Sequence, residues 1–202
     1  MLISVLSFAL NFYLCAAHIP FLDNGKHTAF SSAFVYTDET IARSLNINVE
    51  CDGIPHYSKV TVQNMTSFHV GMGIPNVTEL YDYRPALWVI GKNVIVPDQY
   101  STSWSDAATT PGIHIPQECK GYRVSTEVSE TFREFGEGAN VSGVILMGLT
   151  VNVTNPGDVY LVVEPEIGRR ARIWTAVGTK EVEEKENGQA TDIEVSSWYD
   201  SN

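Results

Sequence analysis

Beyond its first 17 residues the chain alternates short apolar runs, rich in Val, Ile, Thr, Phe and Tyr, with clusters of Gly, Pro, Asn and Asp. That grammar predicts strands joined by turns. The strand segments are 33–37, 44–49, 57–62, 67–74, 86–96, 123–135, 144–154, 159–164 and 172–177, the sixth of them open to a break. Alternation is strict in "TSFHVGMGI": Phe68, Val70, Met72 and Ile74 share one face, and Ser67, His69, Gly71 and Gly73 the other. In "VILMGLTVNVT", Ile145, Met147, Leu149, Val151 and Val153 share a face, while Thr150 and Asn152 point the opposite way. "ALWVIG" is apolar on both faces, which predicts a strand covered on two sides, with Trp88 in the core; Trp174 reads the same way.

The connection "TNPGD" carries a hairpin signal. Pro156 suits the second position of a type II turn and Gly157 the third, where φ is positive. On that reading "LTVNVT" and "VYLVVE" are antiparallel neighbours. No amphipathic helix of ordinary length and no internal repeat stands out. Many short strands in one unit predict an all-β fold, an antiparallel β-sandwich spanning 18–180. Residues 100–117 form a long polar loop. The segment 181–202 is acidic and polar with little periodicity, and reads as a disordered extension.

The first 17 residues, "MLISVLSFALNFYLCAA", are apolar and uncharged, and place Cys15 and Ala17 at −3 and −1 of a cleavage after Ala17. This resembles a signal peptide. The run is short for a bilayer core, which needs about 20 apolar residues, so no stable membrane span is expected after cleavage and the protein is read as secreted. Cleavage leaves Cys51 and Cys119, which an oxidising compartment would join in one disulfide, the alternative being two free thiols. Sequons begin at Asn64, Asn76, Asn140 and Asn152, which suits a secretory glycoprotein.

Composition narrows the partners. The 202-residue chain is 44% hydrophobic, enough for a real core, and its net charge of −11 argues against nucleic acid or an anionic membrane. Neither a G-x-S-x-G elbow nor a phosphate-binding loop is present, so the reading leans away from an enzyme.

Several stretches, taken in order, carry a family likeness. They are "SLNINVECDGIPHYSKVTV", "SFHVGMGIP", "YDYRPALWVIG" and the late run through Tyr160-Leu161-Val162-Val163 to Ile173-Trp174-Thr175-Ala176-Val177-Gly178. Over 33–180 the chain resembles a group of uncharacterised secreted β-sandwich proteins similar to the pre-peptidase C-terminal domain. The resemblance implies a jelly-roll-like accessory or interaction module, with no catalytic residues to carry over.

Four chemistries remain as candidates. Cleavage after Ala17 would expose His18, whose amine and ring can chelate copper, with a second ring from His27, His56, His69 or His114 completing a brace. Calcium would need several oxygens from Asp23, Asp52, Glu79, Asp82, Asp98, Asp106, Glu118 and Asp158, none of which forms a D-x-D-x-D-G run. Tyr81, Tyr83 and Trp104 could form an aromatic platform for carbohydrate, or Tyr81 and Tyr83 could cap the core. Arg84 is placed to pair with Asp82 or another nearby acid. The leading expectation is an extracellular module binding carbohydrate or protein; the alternative is a calcium- or copper-dependent secreted protein.

Overall fold

The computed structural model describes residues 18–64, 67–100, 112–113, 115–127, 130–135, 140–182 and 186–200. The proposed leader, Trp104, Asp106, His114 and most of the Asn64 sequon lie outside these, as does the side chain of Asn140.

Two sheets pack face to face. The six-stranded sheet runs β1 (Ile19–Leu22), β3 (Arg43–Val49), β11 (Ala171–Val177), β5 (Ser67–Pro75), β9 (Asn140–Asn152) and β8 (Glu130–Phe135). The five-stranded sheet runs β2 (Phe34–Tyr36), β4 (His56–Val62), β10 (Gly157–Glu164), β6 (Ala86–Gly91) and β7 (Lys120–Ser125). The fold is an all-β sandwich. Its pairings are antiparallel except at one edge of each sheet, where β1 joins β3 and β2 joins β4 in parallel.

The expected core faces meet between the sheets. Phe68, Val70, Met72 and Ile74 of β5 pack with Leu45, Ile47, Leu87, Val89, Leu161 and Ile173. The reading of β9 needs one correction. A register shift opposite Met72 and Gly73 leaves Leu146 as an extra residue between the pairs Met72–Met147 and Gly73–Ile145. Such a bulge flips the side-chain alternation, so Ile145 faces outward while Met147 and Val151 face the core. Asn152 lies on the exposed side, as alternation predicts.

The hairpin expectation fails. β9 belongs to the six-stranded sheet and β10 to the five-stranded one, so "TNPGD" arches from one sheet to the other. Gly157 has φ +154, far from the type II value near +80°. Both flanking strands are strongly apolar, and burying them against each other across the core satisfies that pattern as well as side-by-side pairing would. The segment after β6 holds the arch: Asn93 Nδ2 donates to Pro156 O (2.9 Å), and Thr154 N to Asn93 O (2.8 Å).

Both outer faces are covered too. On the five-stranded sheet Trp88, Ile90, Tyr57 and Val162 lie beneath Ile113, with Phe30 packed alongside. This explains why "ALWVIG" is apolar on both sides. Trp88 Nε1 donates to Glu164 Oε2 at 2.6 Å, and Arg123 grips the same carboxylate, so the buried indole keeps a partner.

The C-terminal segment is the largest departure from expectation. Instead of a disordered extension over 181–202, helix α1 (Asp192–Asp200) packs on the outer face of the six-stranded sheet. Thr191 caps it: its Oγ1 accepts from Glu194 N, and Glu194 Oε2 accepts from Thr191 N. Val195, Trp198 and Tyr199 then bury against Val141, Ile145, Trp174 and Ala176. Burial of these side chains, at roughly 1.5–3 kcal/mol each, offsets the weak propensity of an acidic nine-residue helix. Arg172 closes over the Trp198 ring (5.9 Å to the centroid) and donates to Trp198 O.

The expected disulfide between Cys51 and Cys119 is not shown by the structure. Cys51, exposed, and Cys119, half-buried, are both free thiols. Cys51 O accepts from Gly168 N in the loop before β11, whereas Cys119 packs beside the Trp88 cluster on the other sheet. Each is held by its own neighbours and the fold does not pair them. No described helix is long and apolar enough to cross a membrane.

Candidate metal centre

Strand register brings two histidines to one end of the six-stranded sheet. Ile19 pairs with Arg43, Arg43 with Val177, and Val177 with Val70, making one row across four strands. The row next to it contains His18, Ala42, Gly178 and His69. Ile19 N donates to Ala42 O at 2.8 Å and Gly178 N to His69 O at 3.1 Å. Ile19 and Val70 face the core, so alternation sends His18 and His69 to the outer side. Small residues lie between them. Gly178 has φ +77, and a Cβ there would sit 2.3 Å from Ile41 O, so only glycine can make this close turn. Gly148 leaves space against the His69 ring, whose Cε1 would lie 3.5 Å from an added Cβ.

The two rings are close enough to interact electrostatically. Burial first, and then the proximity of His69, push the His18 pKa down to about 4. Burial also lowers that of His69. Both imidazoles are therefore neutral at pH 7, the state in which imidazole binds metals. His18 Nε2 is buried and has no hydrogen-bond partner. An orphaned buried polar atom costs about 1–3 kcal/mol, so a ligand for it would be stabilising. The C-terminal strap crosses beside this place, with Ala190 N donating to Pro20 O at 2.7 Å.

The other histidines do not join them. His56 Nδ1 donates to Asp23 Oδ2 at 2.7 Å, and His27 Nε2 lies 3.7 Å from Asp23 Oδ1 while its Nδ1 donates to Ser32 O at 2.6 Å. Burial works to raise the Asp23 pKa, but the hydrogen bond and charge of His56, the charge of His27 and the Gly25 amide outweigh it and hold it low. Sequence spacing could not distinguish His69 from His27 or His56. Register across three intervening pairings does.

These groups give acid sensitivity two separate windows. Unfolded His18 takes up a proton that the folded ring refuses, so its share of stability falls as pH drops from about 6.5 to about 4. Asp23 has a depressed folded pKa, so its share is present above the unfolded value near 3.8 and is lost as pH falls through the folded one. Chemical denaturation of His18→Gln should show a flatter decline than wild type between pH 6.5 and 4. Asp23→Asn should flatten only the decline below about 4. Identical curves for all three proteins would contradict both assignments.

Calcium finds no cage among the described residues. Among the described residues no group of three or more His, Cys, Asp or Glu side chains is placed to hold a metal. The candidate acids are dispersed among separate partners: Asp82 with Arg169, Glu118 with Lys92, and Asp158 with Lys59. Two imidazoles alone fall below that count of three.

The aromatic platform loses a member. Tyr83 is 0% exposed; its hydroxyl accepts from Glu166 N at 3.2 Å, and Arg169 covers its ring. It caps the core and offers no face to a sugar. Tyr81 is exposed and donates to Asn76 Oδ1 at 2.5 Å, beside a sequon. Arg84 does not pair with Asp82, which Arg169 takes at 2.8 Å; its side chain donates instead to Tyr83 O.

No family model matches this chain, and no curated protein does. Solved structures with loose similarity include one copper-binding protein. It is CorA, described as a surface-associated copper-binding protein important in Methylomicrobium album BG8 copper acquisition. The match has 8% identity and a TM-score of 0.34, covering 81% of this chain and 99% of that one. A TM-score this low transfers neither fold nor copper chemistry.

Proposed function

We propose that this protein is a secreted, N-glycosylated, non-catalytic β-sandwich that binds a copper ion through His18 and His69. The observation that carries this reading is the buried, partnerless Nε2 of His18 beside His69. Removal of a leader after Ala17 would make His18 the first residue. The imidazoles of His18, through its Nε2, and of His69 would hold the metal between them. Imidazole nitrogen is well matched to copper. Among the described residues no group of three or more acids, thiols and imidazoles forms, which does not support the oxygen cage that calcium requires or the closed four-ligand set of structural zinc.

The test has two steps. Intact-mass and peptide mapping of the secreted protein should give His18 as its first residue. Copper titration of that material should then show one equivalent bound. A mature N-terminus beyond His18 would remove that ligand and defeat the site, and the absence of any stoichiometric copper would defeat the function.

A further inference from the structure

We infer that Tyr81 is the seat of the chain's own glycan: the first sugar on Asn76 lies against the exposed Tyr81 ring and pins the connector between β5 and β6 to the sandwich. This rests on the glycoprotein reading above and specifies what one of its glycans does.

Asn76 is the first residue after β5, and its amide is held at both ends. Tyr81 donates its hydroxyl to Asn76 Oδ1 at 2.5 Å, and Asn76 Nδ2 donates to Ser142 Oγ at 2.8 Å. The main chain is fixed as well. Asn76 N donates to Ser142 O, and Tyr81 N to Thr78 O across the short turn Thr78–Leu80. Tyr83 is buried, whereas Tyr81 is 45% exposed. The connector therefore presents one of its two tyrosines to solvent, with the hydroxyl on a sequon amide.

Amide chemistry places the sugar on the Tyr81 side. Transfer joins Nδ2 to the anomeric carbon of a lipid-pyrophosphate-linked oligosaccharide; the lipid pyrophosphate leaves, and Nδ2 gives up one of its two protons. This happens during synthesis, when Ser142, 66 residues further along, has not yet engaged the amide. The product is a planar secondary amide, for which trans is strongly favoured over cis. Trans sets the anomeric carbon opposite Cβ, and so on the same side as Oδ1, the atom that Tyr81 holds. One N–H remains on Nδ2 to donate.

A pyranose has an apolar C–H face and a polar rim, and a tyrosine ring with its hydroxyl offers the complementary surface. A sugar from solution would have to compete with one tethered five residues away, at an effective concentration on the order of millimolar. Tyr81 is thus closed to foreign carbohydrate. The connector also carries Leu80 and Tyr83 into the core, with Tyr83 N donating to Leu80 O. A sugar that holds Tyr81 beside Asn76 resists local opening of this segment.

The full chain, secreted from a glycosylating host, is compared as wild type, Thr78→Ala, Tyr81→Ala and the double variant. Thr78→Ala removes the sequon and keeps both Asn76 and Tyr81. Glycopeptide mapping should find Asn76 occupied in the wild type. Thr78→Ala should lower Tm by about 2–4 °C in the wild-type background, and by less than about 1 °C when Tyr81 is already alanine. In the same four proteins made without glycosylation, that difference between backgrounds should vanish. Release of the Asn76 glycan from native protein by an amidase gives a second measure, free of any unglycosylated variant that fails to fold. Tyr81→Ala should speed it about fivefold over wild type. An unoccupied Asn76 overturns the inference; occupancy at Asn152, exposed on β9, would then leave the glycoprotein reading standing. No occupied sequon overturns both. An occupied Asn76 with equal Tm shifts in the two backgrounds, or with equal release rates, overturns the contact and leaves glycosylation intact.

Discussion

Replacing His69 by alanine should weaken copper binding by at least about 100-fold and barely move the melting temperature. Loss of an outer-shell partner of a metal site commonly costs 10–100-fold in affinity, so loss of a ligand should cost at least the upper end of that range. The fold should tolerate the change. His69 lies on the outer side of β5, its ring against Gly148, and contributes nothing to the apolar core between the sheets. Its main-chain oxygen still accepts from Gly178 N in the variant. His56→Ala is the informative control. His56 is also a buried histidine, but its ring is committed to Asp23, so this variant should lose stability and keep its copper. Isothermal titration of the three proteins decides the matter. Equal copper affinity for wild type and His69→Ala would remove His69 from the site.

The second large effect is structural. Gly73→Ala should lower stability by about 3 kcal/mol, the upper end of ordinary overpacking, or roughly 6–12 °C in Tm for a protein of this size. A Cβ at Gly73 would sit 2.2 Å from Trp174 Cζ2, 2.5 Å from its Cε2 and 2.3 Å from Val144 O. The indole lies across the bare strand, and the third atom is main chain of β9, so no flexible side chain can yield. Displacing Trp174 also disturbs the seat of α1, because Trp174 belongs to the cluster that holds Val195, Trp198 and Tyr199. Gly71 is the matched comparison. A Cβ there would meet Trp174 Cζ3 at 3.5 Å, an ordinary contact, so Gly71→Ala should stay within about 1 kcal/mol of wild type. Thermal melts showing the two variants equally stable would refute this account of how the helix is seated.

Much of the architecture was legible because strand burial is written in period two. The core faces of β5 and β6 follow from alternation in "TSFHVGMGI" and from its absence in "ALWVIG". The path between the sheets was not legible. An apolar strand after "TNPGD" is buried equally well beside its predecessor or across the core from it, and local turn residues do not decide between the two. The bulge at Leu146 was hidden for a similar reason: one extra residue in β9 is defined only by its partner Met72–Gly73. The helix Asp192–Asp200 escaped notice because its apolar residues Val195, Trp198 and Tyr199 are too few to announce a helix without the Trp174 surface that receives them.

The candidate site divides along the same line. By itself the sequence determined the strand content, the covered middle strand, the acidic balance, and the position of His18 directly after an apolar leader-like run. Only the tertiary structure selected His69 from among the other histidines, left both cysteines unpaired, buried Tyr83, and laid the acidic C-terminal segment against the sheet. The physical reason is the range of the interactions. Alternation and turn chemistry are set by neighbours along the chain, whereas the His18–His69 approach depends on the registers of β1, β3, β11 and β5 together. Those registers are fixed by the packing of the whole core.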